Sequence, residues 1–183
     1  GQLGWYFVLA AHQMGYRTTV LEPDPHAPAG RVADVHLVAA YDDPEALAQM
    51  AATCAVITTE FENPPAAALA RLAEGTVVRP SPAAIATCQD RIAEKAFLTE
   101  IGVPVGPYRV IHAEADVVEA ADFAFPAILK TARLGYDGKG QVRCDSHELL
   151  IDAWHQLGRV PCVLEQQLKL TREVSMILAR TAD

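Results

Sequence analysis

The apolar positions of this chain fall into short blocks, and the blocks change character about half-way along. Residues 5–14 read as a helix that Gly15 closes, because a glycine just past the last turn takes up the left-handed conformation of a C-terminal cap. An apolar strand follows at 18–21 and a second short one at 35–39. Asp43-Pro44 opens a helix, with the aspartate placed as N-cap and the proline at the first helical position. A buried strand is expected at 55–59, a helix from Pro64-Pro65 through Leu72, and a short strand at 76–78. Strands alternating with helices imply a parallel sheet covered on both faces. Ser81-Pro82 repeats the N-cap pattern, and a longer helix is expected over 90–100.

Residues 102–107 hold two glycines and two prolines and form the best linker candidate. Beyond them the spacing predicts a strand at 108–111, a helix at 114–121 and a strand at 126–130 that runs into a glycine-rich loop. Asp145 with Glu148 resembles a capping box for a helix to Leu157, ended by Gly158. The last strands are expected at 163–165 and 173–179. This second part reads as a small α+β lobe, different in kind from the first. No internal repeat or low-complexity segment interrupts either part.

Composition narrows the function. The 183 residues suffice for one ordinary domain or two small ones, and 51% are apolar, enough to bury a core. Fifteen basic residues against 23 acidic ones give a net charge of −8, the wrong sign for a non-specific nucleic-acid binder. No apolar run approaches the ~18 residues of a membrane span, and no basic n-region or cleavage site marks a signal peptide. A cytoplasmic protein is the expectation. Cys54, Cys88, Cys144 and Cys162 form no CxxC pair and read as reduced core cysteines. The six histidines show no metal-ligand spacing and read as surface or packing residues.

Three segments carry candidate chemistry. Residues 130–143 hold Lys130, Arg133, Lys139 and Arg143 against one acid, Asp137, a local charge of +3 in an acidic chain. Gly135, Gly138 and Gly140 let backbone amides approach an anion, so the segment has the ingredients of a polyphosphate cradle. It is neither a Walker A loop nor a GxGxxG fingerprint, and a glycine hairpin solvated by its lysines has the same composition. Second, the apolar run 163–164 ends in Glu165-Gln166-Gln167-Leu168, which could offer main-chain groups to a purine edge and an apolar side chain to its face. An edge strand of alternating polarity would read the same way. Third, Thr59-Glu60-Phe61-Glu62-Asn63 follows a parallel strand at its carboxyl end, where α/β sheets bind ligands. Acids at a helix N-terminus are the plainer account of that segment.

Taken in order, Gly1-Gln2-Leu3-Gly4, Thr59-Glu60-Phe61-Glu62-Asn63, Gln89-Asp90-Arg91, residues 128–141, Val163-Leu164-Glu165 and Arg172-Glu173-Val174-Ser175 resemble the N5-carboxyaminoimidazole ribonucleotide synthase family of ATP-grasp enzymes. The likeness runs over essentially the whole chain. It implies an α/β fold: a parallel-sheet pre-ATP-grasp domain with helical connector over 1–103, lacking its first strand, then an α+β ATP-grasp lobe over 104–183, itself cut short. It implies that Arg91 and Lys130 contact ATP phosphates. Gly135, Tyr136, Asp137, Gly138, Lys139, Gly140 and Gln141 would form a mobile loop closing over them. Glu165, Gln166, Gln167 and Leu168 would be the adenine hinge, and Glu173 would hold the ribose hydroxyls. Gln2, Glu60 and Glu62 would lie near aminoimidazole ribonucleotide. The implied reaction uses ATP and bicarbonate, through carboxyphosphate, to carboxylate that substrate's amine. Mg²⁺ is implied too, with ligands expected beyond Asp183, so that no metal ligand or catalytic residue is assigned and the chain alone is expected to be inactive and poorly stable. A homodimer is implied for the full-length protein. The family's usual Arg-Met after Gly4 is Trp5-Tyr6 here. Another ATP-grasp ligase, such as a formate-dependent glycinamide ribonucleotide transformylase, or a non-catalytic nucleotide-binding module, is the alternative.

Overall fold

Helix α1 (Gln2–Gln13) ends where the sequence says it must. Gly15 takes φ +83°, its N–H reaches the His12 carbonyl at 2.9 Å, and the Tyr16 N–H returns to Ala11 at 3.0 Å. The computed structural model describes residues 1–60, 62–135 and 139–178, in two compact units, Gly1–Phe97 and Leu98–Asp183. In the first unit β1 (Thr19–Leu21) pairs in parallel with β2 (Val35–Leu37), Thr19 lying opposite Val35. Asp34, at the foot of β2, accepts from the Thr18 N–H at 2.7 Å and from His12 Nε2 at 3.0 Å, tying α1 to the strand pair.

Helix α2 (Pro44–Thr53) starts as expected, the Asp43 carboxylate accepting from the Glu45 and Ala46 amides at 3.1 and 2.8 Å. Strand β3 (Val56–Ile57) pairs in parallel with β4 (Val77–Val78), with α3 (Ala66–Ala73) between them in sequence. Ser81 caps α4 (Pro82–Cys88) through the Ala84 N–H at 3.2 Å, and α5 (Arg91–Glu100) follows. The core joins Leu47 and Met50 of α2, Leu69 and Leu72 of α3, Ile57, Val78 and Ile85.

Two expectations need correction here. The parallel strands form two separate two-stranded pieces rather than one sheet. Each contributes only two or three ladder positions, and β1 and β2 meet the α2–α3 core through Leu21 and Leu37 side chains. Strand 55–59 is not buried on both faces: Val56 is 60% exposed and its partner Val77 49%.

The second unit is a four-stranded antiparallel sheet of order β5-β8-β6-β7, built from β5 (Tyr108–Ile111), β6 (Ala127–Thr131), β7 (Gln141–Cys144) and β8 (Cys162–Gln166). Side chains alternate across a strand, so Leu129 and Leu164, paired in register, both point to one face. There they pack with Ile111, Ala127, Cys144 and Cys162 against α6 (Glu114–Glu119) and α7 (Leu150–Gln156). Trp154 of α7 buries its ring and donates Nε1–H to the Val160 carbonyl at 2.9 Å.

The capping box proposed for Asp145 and Glu148 does not form. Asp145 is engaged by Arg143 Nε at 2.9 Å, and a 3₁₀ turn over His147–Leu149 leads into α7. Residues 173–178, expected as a strand, pair with no described segment, and Ile177 is 96% exposed. A β-prone run becomes a strand only where another segment supplies its bonds, and no described segment pairs with this one. The core reading of the cysteines holds for Cys144 and Cys162, while Cys54 is half-buried and Cys88, at the end of α4, is exposed. Among the described residues no helix is long and apolar enough to cross a membrane.

Two outcomes are expected from this packing. Burial pushes the Cys162 thiol up to about 11 and raises Cys144 as well. The Cys88 thiol is raised too, but it is exposed where the other two are buried, so native-state alkylation followed by mass spectrometry should label Cys88 first, and label Cys144 and Cys162 only in denaturant. The Thr18 N–H bond first, and then His12, hold the Asp34 carboxyl below its ordinary value. Its contribution to stability is thus complete above the unfolded carboxylate pKa and is lost as pH falls through the lowered folded one. Asp34→Asn should melt below wild type near neutral pH and converge with it in acid.

Candidate functional site

The alternation that sends Leu129 and Leu164 into the core sends Ile128, Lys130, Val163 and Glu165 to the opposite face. On that face Lys130 Nζ meets Glu165 Oε2 at 2.8 Å, both side chains largely covered at 25% and 19% exposure. They are diagonal neighbours across β6 and β8, since Lys130 lies opposite Val163 and Glu165 opposite Ile128. One of the three ammonium protons is engaged by the carboxylate. Sequence reasoning placed Lys130 and Glu165 in separate roles, and the register brings them into contact.

The hairpin after Lys130 closes through the Thr131 N–H to the Gly140 carbonyl at 2.8 Å. Gly140 has φ +70°, and a Cβ there would stand 2.6 Å from Thr131 Oγ1, so the position demands glycine. Gly135 is half-buried, while Arg133, Lys139 and Gln141 are exposed. Tyr136, Asp137 and Gly138 lie outside the described residues, and with them the middle of the expected closing loop. Of the local basic cluster, Arg143 is engaged by Asp145, its Nη2 lying 2.9 Å from the carboxylate.

At the far end of β8 the expected hinge has two N–H groups already committed: Gln166 donates to the Pro107 carbonyl and Gln167 to Pro126, each at 3.0 Å. The Leu168 N–H has no partner among the described residues, and its side chain is exposed. Glu173 is exposed and lies outside the sheet, so it is not brought onto the Lys130–Glu165 face by strand pairing.

In the first unit, Glu60 follows β3 and sets its Oε2 3.6 Å from where a Cβ on Gly4 would stand, an ordinary contact distance, which places the carboxylate beside the turn of α1 that carries Gln2. Gln2 and Glu62 are exposed. Gln89 pins the segment behind Glu62 by donating Nε2–H to the Glu62 carbonyl and, at 2.6 Å, to that of Pro64. Phe61 lies outside the described residues. Arg91 opens α5 and is half-buried. Trp5 and Tyr6 pack with their rings tilted 49° to one another and the centroids 4.9 Å apart.

Two residues near Glu60 escaped the sequence reading. Tyr41 donates its hydroxyl to Glu22 Oε2 at 2.6 Å, and burial first, then Glu22 and Glu60, raise its pKa. Glu22 directly follows β1, so the carboxyl-end rule that singled out Glu60 could have found it. A cavity of about 270 Å³ between α2 and α3, lined by Leu47, Ala51, Arg71 and Glu74 among others, touches none of the expected site residues. Among the described residues no group of three or more His, Cys, Asp or Glu could hold a metal ion.

Residues 1–89 match the ribonucleotide synthetase preATP-grasp domain, and residues 96–183 match the ATP-grasp domain. The chain is 46% identical to the N5-carboxyaminoimidazole ribonucleotide synthase of Brucella melitensis over 98% of its length, and 36% identical to that of Pseudomonas aeruginosa over 100%. It spans about half of those curated relatives, 51% of each. Among solved structures it resembles the Staphylococcus aureus synthetase complexed with ADP, with TM-score 0.88 and 37% identity over 93% of this chain and 46% of that one. The Aspergillus clavatus synthase in complex with ADP and 5-aminoimidazole ribonucleotide gives TM-score 0.82 and 27% identity over 93% and 45%. An open antiparallel sheet carrying a lysine–glutamate pair, preceded by a parallel α/β unit, is thus that of an ATP-grasp protein with its pre-ATP-grasp domain. Within that class the chain belongs to the N5-carboxyaminoimidazole ribonucleotide synthase family.

Removing one partner of the Lys130–Glu165 pair strands the other in a poorly hydrated position. Glu165→Ala should lower unfolding free energy by about 2 kcal/mol, the scale of a charged hydrogen bond. Lys130→Met combined with Glu165→Ala should recover part of that loss, as measured by urea denaturation of the two variants and wild type.

Proposed function

We propose that the protein carrying this chain is a ligase that uses ATP and bicarbonate to carboxylate 5-aminoimidazole ribonucleotide, yielding N5-carboxyaminoimidazole ribonucleotide, and that this chain supplies its nucleotide-binding half. The observation that carries the proposal is the sheet face on which Lys130 and Glu165 meet, with a glycine hairpin at one end of the pair and open main-chain groups at the other. A nucleotide is a molecule of matching layout, with phosphates at one end and a hydrogen-bonding base at the other.

In this reading Lys130 uses its remaining protons on phosphate oxygens, where charge-assisted bonds are strong. Arg91 adds a second cation, and residues 135–141 enclose the phosphates. Glu165–Leu168 reads the base and Glu173 the ribose. Gln2, Glu60 and Glu62 take the aminoimidazole side, where carboxylates at the carboxyl end of β3 favour amine and hydroxyl donors. The domains divide as 1–103 and 104–183, and the full-length protein acts in the cytoplasm as a homodimer. Mg²⁺ would neutralise phosphate charge, but the described residues offer no ligand set for it, and no step above runs through the metal.

The test is Lys130→Ala in the full-length protein. Loss of one charged phosphate contact should weaken the use of ATP by about 1.5–3 kcal/mol, roughly ten- to 150-fold in kcat/KM. Steady-state assay of aminoimidazole-dependent ADP release checks it, and unchanged ATP kinetics would remove the central observation's meaning.

A further inference from the structure

Antiparallel strands exchange two hydrogen bonds at every second position, each residue giving its N–H to the other's carbonyl. Gln166 and Pro107 occupy such a position. Tyr108 lies opposite Glu165, so the next pair outward is Pro107 with Gln166, and the Gln166 N–H reaches the Pro107 carbonyl at 3.0 Å. The return bond cannot exist, because proline has no N–H. The same happens on the other flank of β8. Ala127 lies opposite Gln166, and one step on the Gln167 N–H reaches the Pro126 carbonyl at 3.0 Å, again with nothing to return. Two prolines, on the approaches to two different strands, leave the two carbonyls at the end of β8 outside the ladder.

A main-chain carbonyl taken out of a ladder must find water or a ligand. Gln166 is half-buried, so its carbonyl sits where a donor other than bulk water counts for most. Residues 106–107 run directly beside the hinge: a Cβ on Gly106 would stand 3.3 Å from Leu168 Cδ1. In an extended chain, residues two apart present their main-chain groups on the same side. The Gln166 carbonyl and the Leu168 N–H then form an acceptor–donor pair complementary to the amino group and adjacent ring nitrogen of adenine.

We infer that Pro107 is a specificity-determining residue: by withholding an N–H it reserves the Gln166 carbonyl for the exocyclic amine of an adenine nucleotide. The inference rests on the hinge role proposed for residues 165–168. An N–H at position 107 would complete the ladder pair and compete with the amine for the same oxygen. A 6-oxopurine, which places an acceptor there, gains nothing from the carbonyl in either case.

The experiment compares ATP with ITP in wild type and Pro107→Ala of the full-length protein, reading kcat and KM for each. Pro107→Ala should raise the KM for ATP roughly five- to tenfold, the scale of one hydrogen bond, and lower the ATP/ITP preference in kcat/KM by the same factor. Its nucleotide-free melting temperature should match or exceed that of wild type, because the ladder gains a bond. Equal weakening for ATP and ITP, or an unchanged preference, would overturn the role of Pro107. Wild type that does not distinguish ATP from ITP would instead overturn the hinge reading itself. Should Pro107→Ala not fold, Pro107→Gly restores the same N–H and takes its place with the same readouts, and an unchanged ATP/ITP preference in it would refute the inference.

Discussion

The pairing of β6 with β8 is the constraint on which the second unit rests. Its register sets Leu129 against Leu164 on the helix-covered face and, by strict alternation, Lys130 diagonal to Glu165 on the other. A slip of one residue would bury the ammonium and expose the core leucines. The fully buried strand positions make that slip prohibitive, so the hydrophobic core and the candidate nucleotide face are two consequences of one register.

The same register explains why the end of β8 differs from its middle. Through Glu165 the strand is held on both edges, by β5 and by β6. At Gln166 and Gln167 the opposing residues become Pro107 and Pro126, and the ladder stops accepting while the chain is still extended enough to be held by its own N–H groups. The segment is thereby anchored through its N–H groups while its carbonyls stay outside the ladder. The Lys130–Glu165 pair joins the start of this segment to the strand that leads into the glycine hairpin.

The first unit works differently. Its parallel strands are short, and its order comes from helix caps and side-chain ties: Asp43 and Ser81 at helix starts, Asp34 between Thr18 and His12, and Gln89 across to the carbonyls of Glu62 and Pro64. The Glu22–Tyr41 bond belongs to this set and brings a phenol near Glu60. Acidic groups stand at the carboxyl ends of β1 and β3, where a carboxylate can accept from hydroxyl or amine donors, as Glu22 does from Tyr41.

Local rules were enough to read the helix starts at Asp43 and Ser81, the left-handed stop at Gly15, the strand at 108–111 and the motifs that carry the family resemblance, because caps, turns and motifs are short-range chemistry. Asp145 was misread for the same reason, its local spacing fitting a cap while Arg143 held it elsewhere. Residues 173–178 have strand composition, yet a strand exists only where another chain segment supplies its bonds. The Lys130–Glu165 contact joins residues 35 apart, the Tyr41–Glu22 bond residues 19 apart, and the prolines matter only through what lies opposite them. Composition and spacing thus determined which elements and motifs were present. Which charges are paired and which carbonyls stay open was decided by strand register, because register joins groups distant in the chain and no local pattern encodes the partner.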